Sequence, residues 1–192
     1  MIAIVKYNAG NIKSVQNALD RLGYECTLTD DVATLINADK VIFPGVGEAS
    51  SAMSYLKERG LDQVIKNLKQ PVLGICLGLQ LMCLESEEGN TACLGIFKNT
   101  VRRFEETDLV PHMGWNDITA LNSKLFVGVE SGDDTYFVHS YCADLSEHTT
   151  SVCNYSSPFS ASLEKENFYA TQFHPEKSAD VGEKILKNFL EL

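Results

Sequence analysis

The sequence predicts an α/β fold: a central, mostly parallel sheet flanked by helices, with an added antiparallel layer. Three observations predict it. Up to about residue 75, short apolar and β-branched runs alternate with segments of helical periodicity. After about Gly95 that alternation stops, and strand-like pieces follow one another. Between the two, the apolar run Val72-Leu73-Gly74-Ile75 breaks at Gly74-Ile75-Cys76-Leu77-Gly78, a pattern suited to a sharp turn from strand to helix.

The elements read in order as follows. Ile2–Val5 is a first strand, since it lacks the basic segment and cleavage site of a signal peptide. Asn11–Leu22 carries Ile12, Val15, Ala18, Leu19 and Leu22 at helical spacing, and Gly23 can close it. Glu25–Thr29 and Val41–Phe43 are short strands, Ala49–Glu58 and Leu61–Leu68 helices, and Val72–Ile75 a buried strand. Leu77 to Glu85 reads as the helix after the turn. The second part gives strands at Thr100–Phe104, Asp117–Thr119, Tyr136–Ser140, Thr150–Tyr155, Phe159–Glu164 and Phe168–Phe173. A last helix, Val181–Leu190, places Ile185, Leu186, Phe189 and Leu190 on one face.

With 192 residues and no linker or repeat, the chain is expected to form one domain over 1–192. No apolar run is long enough to cross a bilayer. The formal charge of −10, with no basic stripe, argues against nucleic acid as a partner. The six cysteines include no Cys-x-x-Cys pair and the four histidines are scattered, so neither a metal site nor a cofactor is expected. Without an export signal the thiols belong in a reducing, cytoplasmic setting, and all but Cys76 read as packing residues.

Cys76 stands where the strand turns into the helix. There the helix dipole and free N–H groups favour a thiolate, although a glycine-flanked cysteine can equally be a packing residue. Near the other end, the strand-like run Phe168–Phe173 leads into His174-Pro175-Glu176-Lys177-Ser178. A cysteine nucleophile needs a base, and the base needs an orienting group. His174 and Glu176, two residues apart, would leave the same face of an extended segment. Taken alone, His-Pro-Glu fits a helix-start turn with a chance histidine as well. Together, the two motifs define a candidate Cys76–His174–Glu176 triad. The backbone N–H of Leu77 is the first expected oxyanion donor. Pro44-Gly45-Val46-Gly47, directly after a strand, is the candidate for a second.

On these residues the chain resembles the class I, triad-type glutamine amidotransferases. Tyr7-Asn8-Ala9-Gly10-Asn11, Pro44-Gly45-Val46-Gly47, Pro111-His112-Met113-Gly114-Trp115-Asn116 and His139-Ser140-Tyr141 follow the family's order along the whole chain. They narrow the resemblance to glutaminase subunits of imidazole glycerol phosphate synthases. The resemblance implies a flavodoxin-like fold and amide hydrolysis through a thioester. It implies that Gly45, Val46 and Gly47 form an oxyanion strand switched by a peptide flip. It implies that Gln80, Glu88, Ser140 and Tyr141 bind glutamine. On sequence alone Glu88 would be an ordinary solvated charge.

The resemblance further implies a separate cyclase subunit, a (β/α)8 barrel that receives ammonia through an internal channel. That subunit makes imidazole glycerol phosphate and aminoimidazole carboxamide ribonucleotide in histidine biosynthesis. The βα alternation here is too short to hold such a barrel. Met113, Trp115 and Asn116 are the best interface candidates, with Tyr136, Lys177 and Asn11 beside them. The motif departs from the family's usual form at Lys6, which reverses a charge, and at Asn8, which replaces a glycine and can tolerate left-handed backbone. The same residues also fit a related amidotransferase that supplies ammonia to a surface-sugar enzyme. A non-enzymatic module on this fold would be expected to lack part of the triad.

Overall fold

The computed structural model describes residues 1–8, 10–105 and 109–192; Ala9 of the first motif lies outside them. The parallel part runs β1 (Ile2–Val5), α1 (Ile12–Arg21), β2 (Cys26–Thr29), α2 (Val32–Asn37), β3 (Lys40–Gly45), α3 (Ala49–Glu58), α4 (Leu61–Asn67), β4 (Val72–Cys76) and α5 (Leu77–Met82). There follow β5 (Glu85–Ser86), β6 (Thr91–Ala92), β7 (Thr100–Arg103), β8 (His112–Asp117), β9 (Asp134–His139) and β10 (Tyr141–Ala143). The chain ends with β11 (Thr149–Asn154), β12 (Pro158–Lys165), β13 (Phe168–Thr171) and α6 (Ala179–Leu190).

Seven strands form the main sheet in the order β11-β12-β13-β4-β3-β1-β2. Its five strands from β13 to β2 run parallel, and β11 and β12 add an antiparallel edge. The antiparallel portion is therefore partly an extension of the same sheet. The rest is a four-stranded sheet, β10-β7-β5-β6, and the β8–β9 pair. Both faces of the main sheet are covered, which is why β1 and β4 are buried at every position. On one side α1 and α6 contribute Val15, Leu19, Ile185, Leu186 and Phe189; on the other α3, α4 and α5 contribute Met53, Leu56, Ile65 and Leu79. Each such side chain stabilises the fold by about 1.5–3 kcal/mol. Among the described residues, no helix is long and apolar enough to cross a membrane.

Two expectations need correction. The helix after Cys76 stops at Met82 instead of Glu85, because N–H groups of Leu94, Ile96 and Phe97 take the carbonyls of Leu81 and Met82. The strand expected at Asp117–Thr119 lies earlier, at His112–Asp117, and Thr119 makes only an isolated bridge to Val152. At the end of the first motif, Asn11 takes left-handed backbone, with φ 68°. The sequence reading also passed over α2, which Asp31 caps by accepting from the Thr34 N–H at 2.8 Å.

Candidate active site

The sheet order places β4 between β3 and β13. Its last residue, Cys76, lies opposite Gly45, and Thr171 of β13 lies opposite Ile75. The three segments singled out in the sequence thus meet at the C-terminal end of adjacent parallel strands, the usual crevice of such sheets. Cys76 sits at φ 53°, ψ −104°, a strained backbone geometry for a residue with a side chain. The turn is possible because residue 78 is glycine: a Cβ there would lie 1.8 Å from the Phe43 carbonyl oxygen. A second close approach occurs at Gly45, where a Cβ would lie 1.9 Å from the Tyr7 hydroxyl, which donates to the Pro44 carbonyl at 2.7 Å.

His174 is completely buried and faces this turn from the loop after β13. Its Nδ1 lies 2.7 Å from Glu176 Oε1. The geometry differs from the extended segment expected, since Pro175–Lys177 is a 3-10 turn and that turn swings the carboxylate back to the ring. The turn is pinned from several sides. His174 N–H donates to the Tyr136 carbonyl at 2.9 Å, the Ser178 hydroxyl donates to the His174 carbonyl at 2.7 Å, and the Tyr136 N–H donates to that hydroxyl at 2.9 Å.

Nε2 of His174 is buried and, among the described residues, makes no hydrogen bond of ordinary geometry, while the Cys76 thiol couples electrostatically to the ring. Burial alone would lower the His174 pKa. The negative charge of a Cys76 thiolate, reinforced by Glu176, outweighs burial and raises it to about 10.

A pocket of about 160 Å³ opens beside the sulfur, lined by Val46, Gly47, Cys76, Leu77, Gln80, Glu88, Val138, His139, Ser140 and Tyr141. Every expected oxyanion and glutamine-contact residue lines it except Gly45, which is buried just behind in β3. Gly47 has φ 131°, while the Val46 carbonyl accepts from the Gly10 N–H at 3.3 Å. Glu88 is half-buried and accepts from the Ala49 N–H at 2.7 Å at the start of α3. Burial raises its pKa more than that bond lowers it.

Of the expected interface residues, Met113 and Trp115 project from β8 into solvent, 63% and 55% exposed. Trp115 pairs across the strands with Tyr136, ring centroids 5.9 Å apart, and Lys177 Nζ lies 5.9 Å from the Tyr136 ring centroid. Asn116 turns inward instead, donating to the Asn154 carbonyl at 3.0 Å. Asn11 also points inward: its amide donates to Glu176 Oε1 and approaches His174 Nδ1 at 3.4 Å. That contact, 165 positions apart in sequence, had no local signal. His112 and His139 have no role assigned from their motifs, and Gln172 lies unremarked in the run before His174, yet all three are buried close to the pocket.

A cysteine at a strained elbow, a histidine oriented by a carboxylate and a lined pocket make a candidate site for cysteine nucleophilic chemistry on an open α/β sheet. The family model for class-I glutamine amidotransferases matches residues 3–192, and the chain belongs to that family. It is 60% identical over 194 residues to the imidazole glycerol phosphate synthase subunit HisH of Bacteroides fragilis, covering 100% of this chain and 99% of that protein. It is 47% identical over 192 residues to the HisH subunit of Haemophilus influenzae, covering 99% and 96%. A solved glutamine amidotransferase superposes with a TM-score of 0.77 at 18% identity, covering 100% of this chain and 98% of that one, which supports the shared fold.

Proposed function

We propose that this chain is the glutaminase subunit of an imidazole glycerol phosphate synthase, supplying ammonia to a separate cyclase subunit in histidine biosynthesis. Full-length kinship with subunits of that name supports the pathway. The observation that carries the chemistry is the buried His174–Glu176 pair coupled to Cys76 at the elbow.

In this reading the Cys76 sulfur attacks the side-chain carboxamide carbon of glutamine. The oxyanion is held by the Leu77 N–H and by the Gly45-Val46-Gly47 segment once a peptide there turns an N–H toward it. His174 passes a proton to the departing nitrogen, the C–N bond breaks, and ammonia leaves a thioester on Cys76. Water attacks the thioester, giving a proton to His174, and glutamate departs as the sulfur is regenerated. Glu176 keeps the imidazole in one tautomer and offsets its charge. Gln80, Glu88, Ser140 and Tyr141 hold the amino acid. The whole chain acts as one cytoplasmic domain and docks a (β/α)8-barrel cyclase through Met113, Trp115, Tyr136 and Lys177, with Asn116 and Asn11 lying beside that surface, their amides turned inward.

Glutamate release by the purified chain, alone and with the cyclase subunit and its nucleotide substrate, tests the proposal. Release should be slow alone and rise about 5- to 150-fold in the complex, the range of ordinary coupling energies. A folded Cys76→Ala protein should release none. Turnover by that variant would overturn the mechanism, and indifference to the cyclase would overturn the pathway.

A further inference from the structure

Gln172 is fully buried, just beyond β13 and two residues before His174. Its Nε2 lies 3.6 Å from Cys76 Sγ, within range of an N–H···S hydrogen bond. Its Oε1 accepts from Gln80 Nε2 at 3.1 Å, and the same Gln80 nitrogen donates to the Tyr141 carbonyl at 2.9 Å. That carbonyl also faces His139 Nδ1 at 2.8 Å. His139 Nε2 lies 3.0 Å from His112 Nδ1, and His112 Nε2 lies 3.2 Å from Asn116 Nδ2 on β8. A continuous chain of buried polar contacts thus joins β8 to the nucleophile.

The direction of every bond in this chain follows from one atom. A backbone carbonyl only accepts, so Tyr141 requires an N–H from both Gln80 and His139. Gln80 must then present its NH2 to Gln172, which must turn its oxygen toward Gln80 and its own NH2 toward the sulfur. A flipped Gln172 would oppose two NH2 groups and set an oxygen against a thiolate. On the other branch, His139 carries its proton on Nδ1, so its Nε2 accepts from His112 Nδ1–H. His112 Nε2 then accepts from Asn116. Both imidazoles are neutral in this arrangement, since an added proton on either would set two N–H groups against each other. Burial favours the same neutral forms.

We propose that Gln172 is an additional donor to the nucleophile, stabilising the Cys76 thiolate. We further propose that Gln80, itself fixed by the Tyr141 carbonyl, is the positioning residue that dictates its orientation. The proposal deepens the glutaminase reading by adding a group that acts on the attacking sulfur. The ionisable groups around that sulfur are His174 and, just past the end of β1, Tyr7, while Glu88, His139 and Tyr141 line the same pocket. None of them is altered in the variants below.

The test is the pH dependence of Cys76 alkylation by iodoacetamide on the full chain, read from the mass of the Cys76 peptide so that other cysteines do not contribute. Gln172→Met keeps the bulk and removes the donor. Its half-labelling pH should rise by about one to two units, as expected for loss of a hydrogen bond to a charged group. Gln80→Met, which leaves Gln172 in place but unfixes it, should raise that pH by less. It also gives the same readout if Gln172→Met does not fold. His112→Phe, which preserves the ring stacking on Phe137 and Tyr155 and leaves the Tyr141 carbonyl to fix Gln80, should leave the curve unchanged. An unchanged curve in folded Gln172→Met, or in Gln80→Met if the former fails to fold, overturns the donor role. A shift in His112→Phe as large as that in Gln172→Met overturns the assignment of the orientation to the Tyr141 carbonyl. Because alkylation does not require glutamine, failure of the glutaminase reading would appear separately, as absent glutamate release by wild-type protein with the alkylation shift intact.

Discussion

Consider replacing Gly78 by alanine. The added Cβ would lie 1.8 Å from the carbonyl oxygen of Phe43 and 3.0 Å from its carbon. Contacts below 3.0 Å essentially never occur, so helix and strand must separate by more than about 1 Å. Neither can yield cheaply. Phe43 is fully buried and pairs with Gly74 of β4, and α5 is buried at every position. Overpacking of a rigid core costs about 1–3 kcal/mol, and a forced backbone shift in a central strand places this case at about 3 kcal/mol or above. Urea unfolding reads it directly, as a midpoint lowered by about 1 M or more at unchanged slope. The same displacement would move Cys76 relative to His174, so iodoacetamide labelling of Cys76 should slow as well. Gly60→Ala is the control: nothing lies within 4 Å of its Cβ, and only the φ of 68° is unfavourable. It should cost about 1–2 kcal/mol and leave Cys76 labelling unchanged. If Gly78→Ala unfolds at the wild-type midpoint and labels at the wild-type rate, the close packing of elbow and β3 is not what holds the nucleophile.

Two further outcomes follow from the site. Asn11→Gly retains the left-handed backbone but removes the donor to Glu176, a bond to a buried carboxylate worth about 1.5–3 kcal/mol. In the free chain kcat for glutamate release should fall roughly 10- to 100-fold with KM little changed, and an unaltered kcat would remove Asn11 from the catalytic group. His112 and His139 are held down by burial, to about 4 and about 3. The unfolded chain therefore binds more protons than the folded one below about pH 6.5, so stability should fall as pH drops from 6.5 toward 4. Urea midpoints at pH 7 and pH 5 check this, and His112→Phe should flatten the acid-side loss.

Much of this molecule can be read from its residues because its parallel half obeys simple periodicity. Ala49–Glu58 and Ile2–Val5 fall where their apolar residues put them. β8 escaped because its pattern is inverted: His112 is buried, while Met113 and Trp115 face solvent. β5 and β6, two residues each, exist only through their pairing with each other and β7, which no local signal reports. The triad residues stood out because their motifs are local. The bonds that orient them, Asn11 to Glu176 and Gln172 to Cys76, join positions 165 and 96 residues apart, and only the folded sheet brings those positions together.

The contact between Tyr7 and Gly45 bears on how this sequence can drift. Any side chain at 45 collides with the Tyr7 hydroxyl at 1.9 Å, whereas the ring carbon beneath that hydroxyl would be 3.1 Å away. Alanine at 45 is thus closed while tyrosine occupies 7; with phenylalanine there the severe clash is gone, and the ring carbon and Leu77 Cβ, at 3.1 and 3.2 Å, need yield only a few tenths of an ångström. The order of the two changes matters: the mutational path runs through position 7 first, and a lineage that keeps the tyrosine also keeps the glycine beside its nucleophile.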